Sequence, residues 1–124
     1  MSAIIHEPSL RKLIDAWLAS GKLVAAPVEA GGKLLYRCLK SSAEAVLVSR
    51  EHPSNSIKEF LFPRHEALFR YQLNGKQVEL ADAAEETREQ ILVAARPCDA
   101  ASLPVLDYIF NSDRKDGSFE RARA

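Results

Sequence analysis

Apolar side chains near the N-terminus recur at the three- and four-residue spacing that lines one face of an α-helix. They are Leu10, Leu13, Ile14, Trp17 and Leu18. Pro8 or Ser9 can begin this helix, because both residue types are favoured at helix starts. Gly21 can end it. The pattern therefore predicts an N-terminal helix between Pro8 and Gly21.

Two pairs of strand-like runs are each interrupted by residues that favour tight turns. The first pair lies within residues 22–40 and flanks the sequence Glu-Ala-Gly-Gly at 29–32, whose glycines can adopt positive φ. The second pair flanks Asn74-Gly75, a strong signal for a two-residue hairpin loop. Two β-hairpins are therefore predicted. Pro27 cannot donate a backbone hydrogen bond, so we expect its strand at a sheet edge, or Pro27 at the strand's end.

The segments between and after these hairpins give further expectations. Residues 43–49 (AEAVLVS) predict a short strand, and residues 50–60 are polar and predict an exposed loop. Residues 81–90 form a charged connection that could include a helical turn. Residues 90–95 (QILVAA) lack the polar alternation of a half-solvated strand, so they predict an interior one.

This order of elements predicts an α+β fold. We expect a single domain with a mixed, largely antiparallel sheet, an N-terminal helix, and a helix after the corner Arg96-Pro97-Cys98-Asp99. The domain is predicted to span residues 1–112, and the polar residues 113–124 are predicted to form a tail.

The corner at residues 96–99 joins the last predicted strand to this second helix. Pro97 fixes its own φ and favours an extended Arg96. Asp99 or Ser102 can cap the helix. Because Pro104 would disrupt a helix interior, we expect a first turn near residues 98–102 and a regular helix only from about Ser102. Its buried face is predicted to contain Leu103, Leu106, Ile109 and Phe110.

The thiol of Cys98 has three interpretations: a packed hydrophobe, a reactive thiolate, or one ligand of a metal centre. The helix start and Arg96 favour the thiolate, whereas the negative charge of Asp99 disfavours it. Free cysteines are often buried as small apolar residues, so the first interpretation also stays open. No histidine is adjacent to Cys98 in sequence to act as a base. Cys38 lies in a predicted strand and is interpreted as structural.

Other chemical motifs carry less information. Neither cysteine belongs to a CxxC pair, two cysteines cannot supply four thiolates, and the three histidines His6, His52 and His65 lack metal-type spacing. The sequence contains no phosphate-binding glycine loop and no GxSxG motif. The cluster Arg64, His65, Glu66 and Arg70 could contact an anion or a partner, or it could be a solvated surface.

Composition limits the environment and the partners. The chain has 124 residues, and its 17 basic and 17 acidic side chains give a formal net charge of zero, which gives no attraction to nucleic acid or an anionic membrane. No apolar run is long enough to span a bilayer. Without a secretory signal pattern, we expect a cytoplasmic location, while export with a Cys38–Cys98 disulfide stays open.

Three segments, in order, resemble a known family. They are GKLVAAPVEAGGKLLYRCL, SIKEFLFPRHEALFRY and ILVAARPCDAASLPVLDYIF. They look like the N-terminal part of iron–sulfur electron-transfer subunits of the type found in anaerobic sulfite reductase and in the hydrogenase beta-subunit. The matching residues are Lys58, Phe60, Pro63, Glu66, Leu68 and Phe69 in the middle segment and Arg96, Pro97, Cys98 and Asp99 in the last. The tail DGSFERARA resembles the family's approach to its next strand, whereas Pro104 departs from the family's helix.

The resemblance implies a relay domain within a cytoplasmic oxidoreductase complex. Members usually continue into a cysteine-rich, ferredoxin-like region with [4Fe-4S] clusters, so the chain would be part of a longer protein or a stand-alone first domain. Cys98 would be one cluster ligand together with cysteines outside this sequence, with Arg96 and Asp99 shaping its surroundings. The isolated chain would hold no cofactor and catalyse no reaction.

The implied partners are catalytic and flavin/NAD(P)H or ferredoxin-linked subunits, without nucleic acid or a membrane span. Self-association through an apolar surface near Cys98 that includes Leu103 or Leu106 is a further expectation. The alternative is a non-redox protein-interaction domain in which Cys98 is a structural core residue.

Overall fold

The computed structural model describes residues 3–62, 65–83 and 88–123, which contain three α-helices and five β-strands. This content confirms the predicted α+β class. The elements are α1 (Glu7–Ala19), β1 (Leu23–Ala30), β2 (Lys33–Cys38), β3 (Phe69–Asn74), β4 (Gln77–Asp82), β5 (Gln90–Leu92), α2 (Pro97–Asn111) and α3 (Gly117–Arg123), with short 3-10 helices at Ser42–Glu44 and Ile57–Phe60.

Helix α1 forms where the apolar spacing predicts it. Ile14 is fully buried, Leu10, Trp17 and Leu18 pack around it, and Leu13 is exposed. The helix has Pro8 in its first turn, and after it Gly21 adopts a φ of +82°. The chain can therefore reverse directly into β1.

The first hairpin forms a three-stranded sheet with β5 in the order β2-β1-β5. Strands β1 and β2 are antiparallel and are joined by Gly31-Gly32, both with positive φ, which confirms the predicted turn. Strand β1 is central and Pro27 lies within it rather than at its end, so the expectation of an edge strand or of Pro27 at the strand's end was wrong. Strand β1 pairs with β5 only as far as Ala25, so Pro27 lies in the part of β1 that no longer pairs with β5. The Pro27 carbonyl accepts a hydrogen bond from the Val46 amide (2.8 Å).

Strand β5 is shorter and less buried than predicted. It has three half-buried residues, pairs in parallel with β1, and lies at the edge of the sheet within the described part of the chain. The prediction of an interior strand over residues 90–95 was therefore wrong. The reason is local: Val93 makes one more hydrogen bond to Ala25 (2.8 Å), and Ala94 then turns the chain away with a φ of +57°.

The second hairpin forms one residue later than the sequence suggests. Asn74 pairs with Gln77, so the two-residue loop is Gly75-Lys76, and Gly75 supplies the positive φ at its first position. Strands β3 and β4 form a separate two-stranded sheet in which every residue is exposed.

The segments between the hairpins are less regular than predicted. Residues 43–49 do not form a strand, because Ser42–Glu44 is a 3-10 helix and only Ala45 makes an isolated bridge to Val28. Within the expected exposed loop at 50–60, Ile57–Phe60 is a 3-10 helix and Ile57 is buried. A helical turn was allowed within residues 81–90, and residues 84–87 of this segment lie outside the described residues.

Helix α2 begins at Pro97 rather than near Ser102, with Pro104 inside it. The sequence analysis overestimated the effect of this proline. Pro97 is favourable in a first helical turn, and the carbonyl that Pro104 leaves without a helical donor belongs to Ala100, an exposed residue where water can hydrate it. Ser102 donates to the Asp99 carbonyl (2.6 Å) and neither residue caps the helix, so the predicted caps were wrong.

The inner face of α2 only partly agrees with the prediction. Leu103, Leu106 and Phe110 are half-buried, whereas Ile109 is 59% exposed. Phe110 stacks on Phe119 of α3 with ring centroids 4.5 Å apart. Phe119 is buried, so part of the segment at 113–124 is a helix packed on α2, where the family resemblance suggested an approach to a strand.

Two buried clusters lie on opposite faces of β1. Val24 and Ala26 join Ile14, Leu39 and Ala45 on the α1 side, and Ala25 joins Tyr36 and Ile57 on the other. None of the helices in the described residues has the length and apolar character needed to cross a bilayer.

Candidate functional site

A cleft of about 280 Å³ lies between the start of α2 and the loop that follows β2. All three predicted site residues, Arg96, Cys98 and Asp99, line it. The opposite wall is formed by residues 52–57, and Tyr36 and Ala94 complete the lining. The corner singled out in the sequence therefore faces residues 52–57, a segment far earlier in the chain.

The backbone between β5 and α2 positions the corner. Ala94 has a φ of +57°, a conformation that costs a non-glycine residue roughly 1–2 kcal/mol. Arg96 is extended (φ −76°, ψ 146°), as expected for a residue before proline, and Pro97 then begins α2. Together these turns bring the Arg96 and Asp99 side chains to the cleft.

Arg96 is held by the loop after β2. One guanidinium nitrogen lies 3.1 Å from Nε2 of His52, and the other terminal nitrogen donates to the Glu51 carbonyl at 2.9 Å. Because a guanidinium only donates, Nε2 of His52 must accept, which leaves the proton on its other ring nitrogen. In this arrangement Nε2 of His52 is engaged by Arg96, although His52 and Cys98 both line the cleft.

Asp99 faces the same loop and a buried phenol. Its Oδ1 accepts a hydrogen bond from Ser56 Oγ at 3.1 Å. Burial and, secondly, the negative charge of Asp99 raise the pKa of Tyr36 above its ordinary value. The Tyr36 hydroxyl remains protonated at neutral pH and donates to the carbonyl of Val93. Asp99 thus links α2 to the loop, and Tyr36 links β2 to the residue that follows β5.

Asn55 fastens the loop to the sheet. Its Oδ1 accepts from the Tyr36 amide (2.6 Å), and its Nδ2 donates to the Tyr36 carbonyl (2.9 Å), as a neighbouring strand would. The Ser54 amide also donates to the Leu34 carbonyl of β2 (2.8 Å). The sequence analysis missed Tyr36, His52, Asn55 and Ser56, because their partners are 19–57 positions away and no local pattern marks them.

Cys98 is exposed in the first turn of α2 at the edge of the cleft. It is not part of either buried cluster, so the interpretation of Cys98 as a packed core residue does not fit. The outward face of the same helix is apolar and exposed: it carries Ala101, Val105, Tyr108 and Ile109, the last three at 57%, 76% and 59% exposure. Cys98 therefore lies at the end of an exposed apolar stripe.

The second cysteine has a different environment. Cys38 is in β2, and partial burial of its thiol raises its pKa, although the residue as a whole is exposed. Both cysteines are free thiols, without the disulfide that the sequence left open. Within residues 3–62, 65–83 and 88–123, no group of three or more His, Cys, Asp or Glu side chains could hold a metal ion.

The basic and acidic cluster of the middle segment lies apart from this cleft. Glu66 accepts a hydrogen bond from Ser118 of α3, and His65 and Arg70 are exposed. Arg64 falls outside the described residues. No family model, curated protein or solved structure matches the chain.

Proposed function

We propose that this chain is the N-terminal domain of a [4Fe-4S] electron-transfer subunit in a cytoplasmic oxidoreductase complex of the hydrogenase or sulfite reductase type. It would relay electrons between a carrier (a ferredoxin or a flavin/NAD(P)H-linked subunit) and a catalytic subunit. The observation that carries the proposal is the exposed Cys98 thiol on a corner whose neighbours are fixed in place.

The donor set fits one ligand of a cluster. Of the two thiols in the sequence, Cys98 lines the cleft and Cys38 does not, so the remaining thiolates would come from cysteines outside this sequence. When bound, the cluster accepts and releases one electron at a potential set by its surroundings. The role of this chain is to fix the backbone position of Cys98. Its neighbours Arg96 and Asp99 do this through hydrogen bonds to Glu51, His52 and Ser56.

The exposed stripe on α2 supports the same proposal. An apolar surface beside Cys98 would be covered when a ligand-bearing partner segment docks, and this would exclude water from the metal centre. Hydrophobic surroundings and solvent exclusion are among the means by which proteins tune a cluster's potential. Cys98 and the stripe therefore serve one docking event.

The alternative is an interaction domain without redox function. The apolar stripe on α2 favours it as well, because large exposed apolar patches mark protein–protein contacts. In this version Cys98 would be a contact residue rather than the core residue expected from sequence. The two functions differ in whether replacing the Cys98 sulfur by oxygen removes iron or only weakens association.

The deciding experiment compares Cys98→Ser with Cys38→Ser in the native complex, purified without oxygen. Iron and sulfide per complex and the electron paramagnetic resonance spectrum of the reduced protein are measured. Cys98→Ser is expected to lose one cluster or change its spectrum, while Cys38→Ser keeps both. Unchanged iron content and spectrum in Cys98→Ser would contradict the ligand role, and a complex without any cluster would contradict the relay.

The isolated 124-residue chain provides a second test. It is expected to be colourless, to fold without iron, and to be alkylated at Cys98 before denaturation. Cys38 should react more slowly, because partial burial raises its pKa and the thiolate is the reacting form. A stoichiometric cluster in the monomer would contradict the ligand count, and labelling of Cys98 only after denaturation would contradict its exposure.

A further inference from the structure

The hairpin β3–β4 has one apolar and one polar face. Alternation along the strands and the cross-strand register place five apolar side chains and Asp82 on the first face. The five are Phe69, Tyr71, Leu73, Val78 and Leu80, each 58–69% exposed. Arg70, Gln72, Asn74, Gln77, Glu79 and Ala81 make up the other face.

This apolar face is unusual for a surface. An isolated two-stranded sheet is marginally stable in water, and normally gains stability by packing its apolar face against something else. At roughly 100–150 Å² per side chain, the five residues expose about 600 Å², the upper end for the largest apolar patch on a monomer. The hairpin therefore presents a surface that is suited to burial.

The distribution of charge makes this face complementary to itself. Lys76 lies in the turn at one end of the hairpin, and Asp82 lies on the apolar face at the other end, about 20 Å away for strands of six residues at ~3.4 Å per residue. A two-fold axis that lies between two such faces, perpendicular to the strands, would bring Lys76 of each copy near Asp82 of the other. The formal net charge of zero adds no overall repulsion between copies.

We propose that two copies of this chain pair face to face through the apolar face of the β3–β4 hairpin. Burying about 600 Å² on each copy gives about 1,200 Å² in total, the lower end of specific interfaces. The dimer is therefore weak and depends on protein concentration. This surface differs from the region near Leu103 and Leu106 that the sequence suggested, where both leucines are half-buried, and the pairing does not depend on the redox proposal.

Sedimentation velocity of the full chain, from about 1 µM to about 200 µM, tests the pairing. The wild type is expected to shift from monomer to dimer in this range. Tyr71→Glu should weaken association at least about tenfold, because it puts a charge in the centre of the apolar face. Gln72→Glu, one residue away on the opposite face, should change association less than about twofold, since it lies outside the contact.

A charge exchange tests the two-fold arrangement without touching the apolar residues. Lys76→Glu alone and Asp82→Lys alone should each weaken the dimer, and the double variant should restore it. The two positions are at opposite ends of one hairpin, so restoration cannot come from contact within a copy.

Three results would overturn the proposal: a wild type that stays monomeric at about 200 µM, equal effects of Tyr71→Glu and Gln72→Glu, or no restoration in the double variant. A dimer that is insensitive to Tyr71→Glu would place the contact elsewhere, for example on α2, and would overturn it too.

Discussion

The two hairpins of this chain have similar turns but different surroundings. Each is closed by a two-residue loop with a positive-φ glycine at its first position, Gly31 in one and Gly75 in the other. In β1 of the first hairpin, Val24, Ala25 and Ala26 are buried, whereas every residue of the second hairpin is exposed. The turn residues therefore specify that a hairpin forms, but they do not decide whether the hairpin is buried in the core.

The difference lies in the faces of the strands. Strand β1 is apolar on both faces, so that Val24 can pack under α1 while Ala25 packs against Tyr36 and Ile57. Except at Ala81 and Asp82, the residues of β3 and β4 alternate between an apolar and a polar face. A strand with two apolar faces has to lie between two layers, whereas an amphipathic strand needs only one cover. In the second hairpin this one cover is what the proposed second copy would supply.

The sharpest test of this comparison is the same substitution in both hairpins. Val24→Ala should lower the free energy of unfolding by about 2 kcal/mol, because it removes two methyl groups from a fully buried site. Val78→Ala, at 58% exposure, should lower it by less than about 0.5 kcal/mol. Urea denaturation at protein concentrations below the dimer range measures both. Equal losses would mean that the second hairpin is covered within the monomer.

The edge of the first hairpin offers the next test. Asn55→Ala should cost about 1–2 kcal/mol, because it removes two partly buried hydrogen bonds to the backbone of Tyr36. Ser54→Ala is the matched control, since Ser54 contacts β2 through its backbone amide, which alanine keeps. The control should stay within about 0.5 kcal/mol of the wild type. If Asn55→Ala were as mild, the loop would be held by other contacts.

A third pair of variants compares the turns. Gly32→Ala should cost about 1 kcal/mol of global stability, because alanine is strained at a φ of +75°. Gly75→Ala has similar local strain (φ +64°), but the second hairpin can open without unfolding the core. Its effect should therefore appear as faster amide exchange in β3 and β4, with the denaturation midpoint unchanged. A lower midpoint for Gly75→Ala would show that the hairpins unfold together.

The sequence revealed short-range features more reliably than long-range ones. The apolar spacing of α1 and the glycine turns of the two hairpins depend on residues within four positions of each other, and all of these elements are present. The cleft depends on two long-range contacts. Asn55 hydrogen-bonds to the Tyr36 backbone as a neighbouring strand would, and His52 accepts a hydrogen bond from Arg96. These contacts span 19 and 44 positions, and no local sequence pattern encodes them. The prediction for residues 90–95 failed for a different, local reason, because composition does not reveal that Ala94 adopts a positive φ and turns the chain out of the sheet.

The smallest expected effect concerns pH and the anchor that follows the first hairpin. Asp15 of α1 accepts hydrogen bonds from Ser42 Oγ (2.7 Å) and from the Ser42 amide (3.0 Å), four residues after β2 ends. The Ser42 side chain, its amide and the nearby Arg11 hold the pKa of Asp15 below 3.8, its ordinary value.

A carboxyl whose pKa is lowered in the folded state stabilises the protein above its unfolded pKa, and this contribution disappears as the pH falls through the folded value. Asp15→Asn should therefore be less stable than the wild type at pH 7, and the difference should shrink as the pH falls below 3.8. Thermal denaturation across this pH range measures the difference, and amide exchange in β3 and β4 should not respond, since the second hairpin lacks this anchor. If the difference in stability between Asp15→Asn and the wild type stayed constant down to the lowest pH, the negative charge of Asp15 would not be what stabilises the protein.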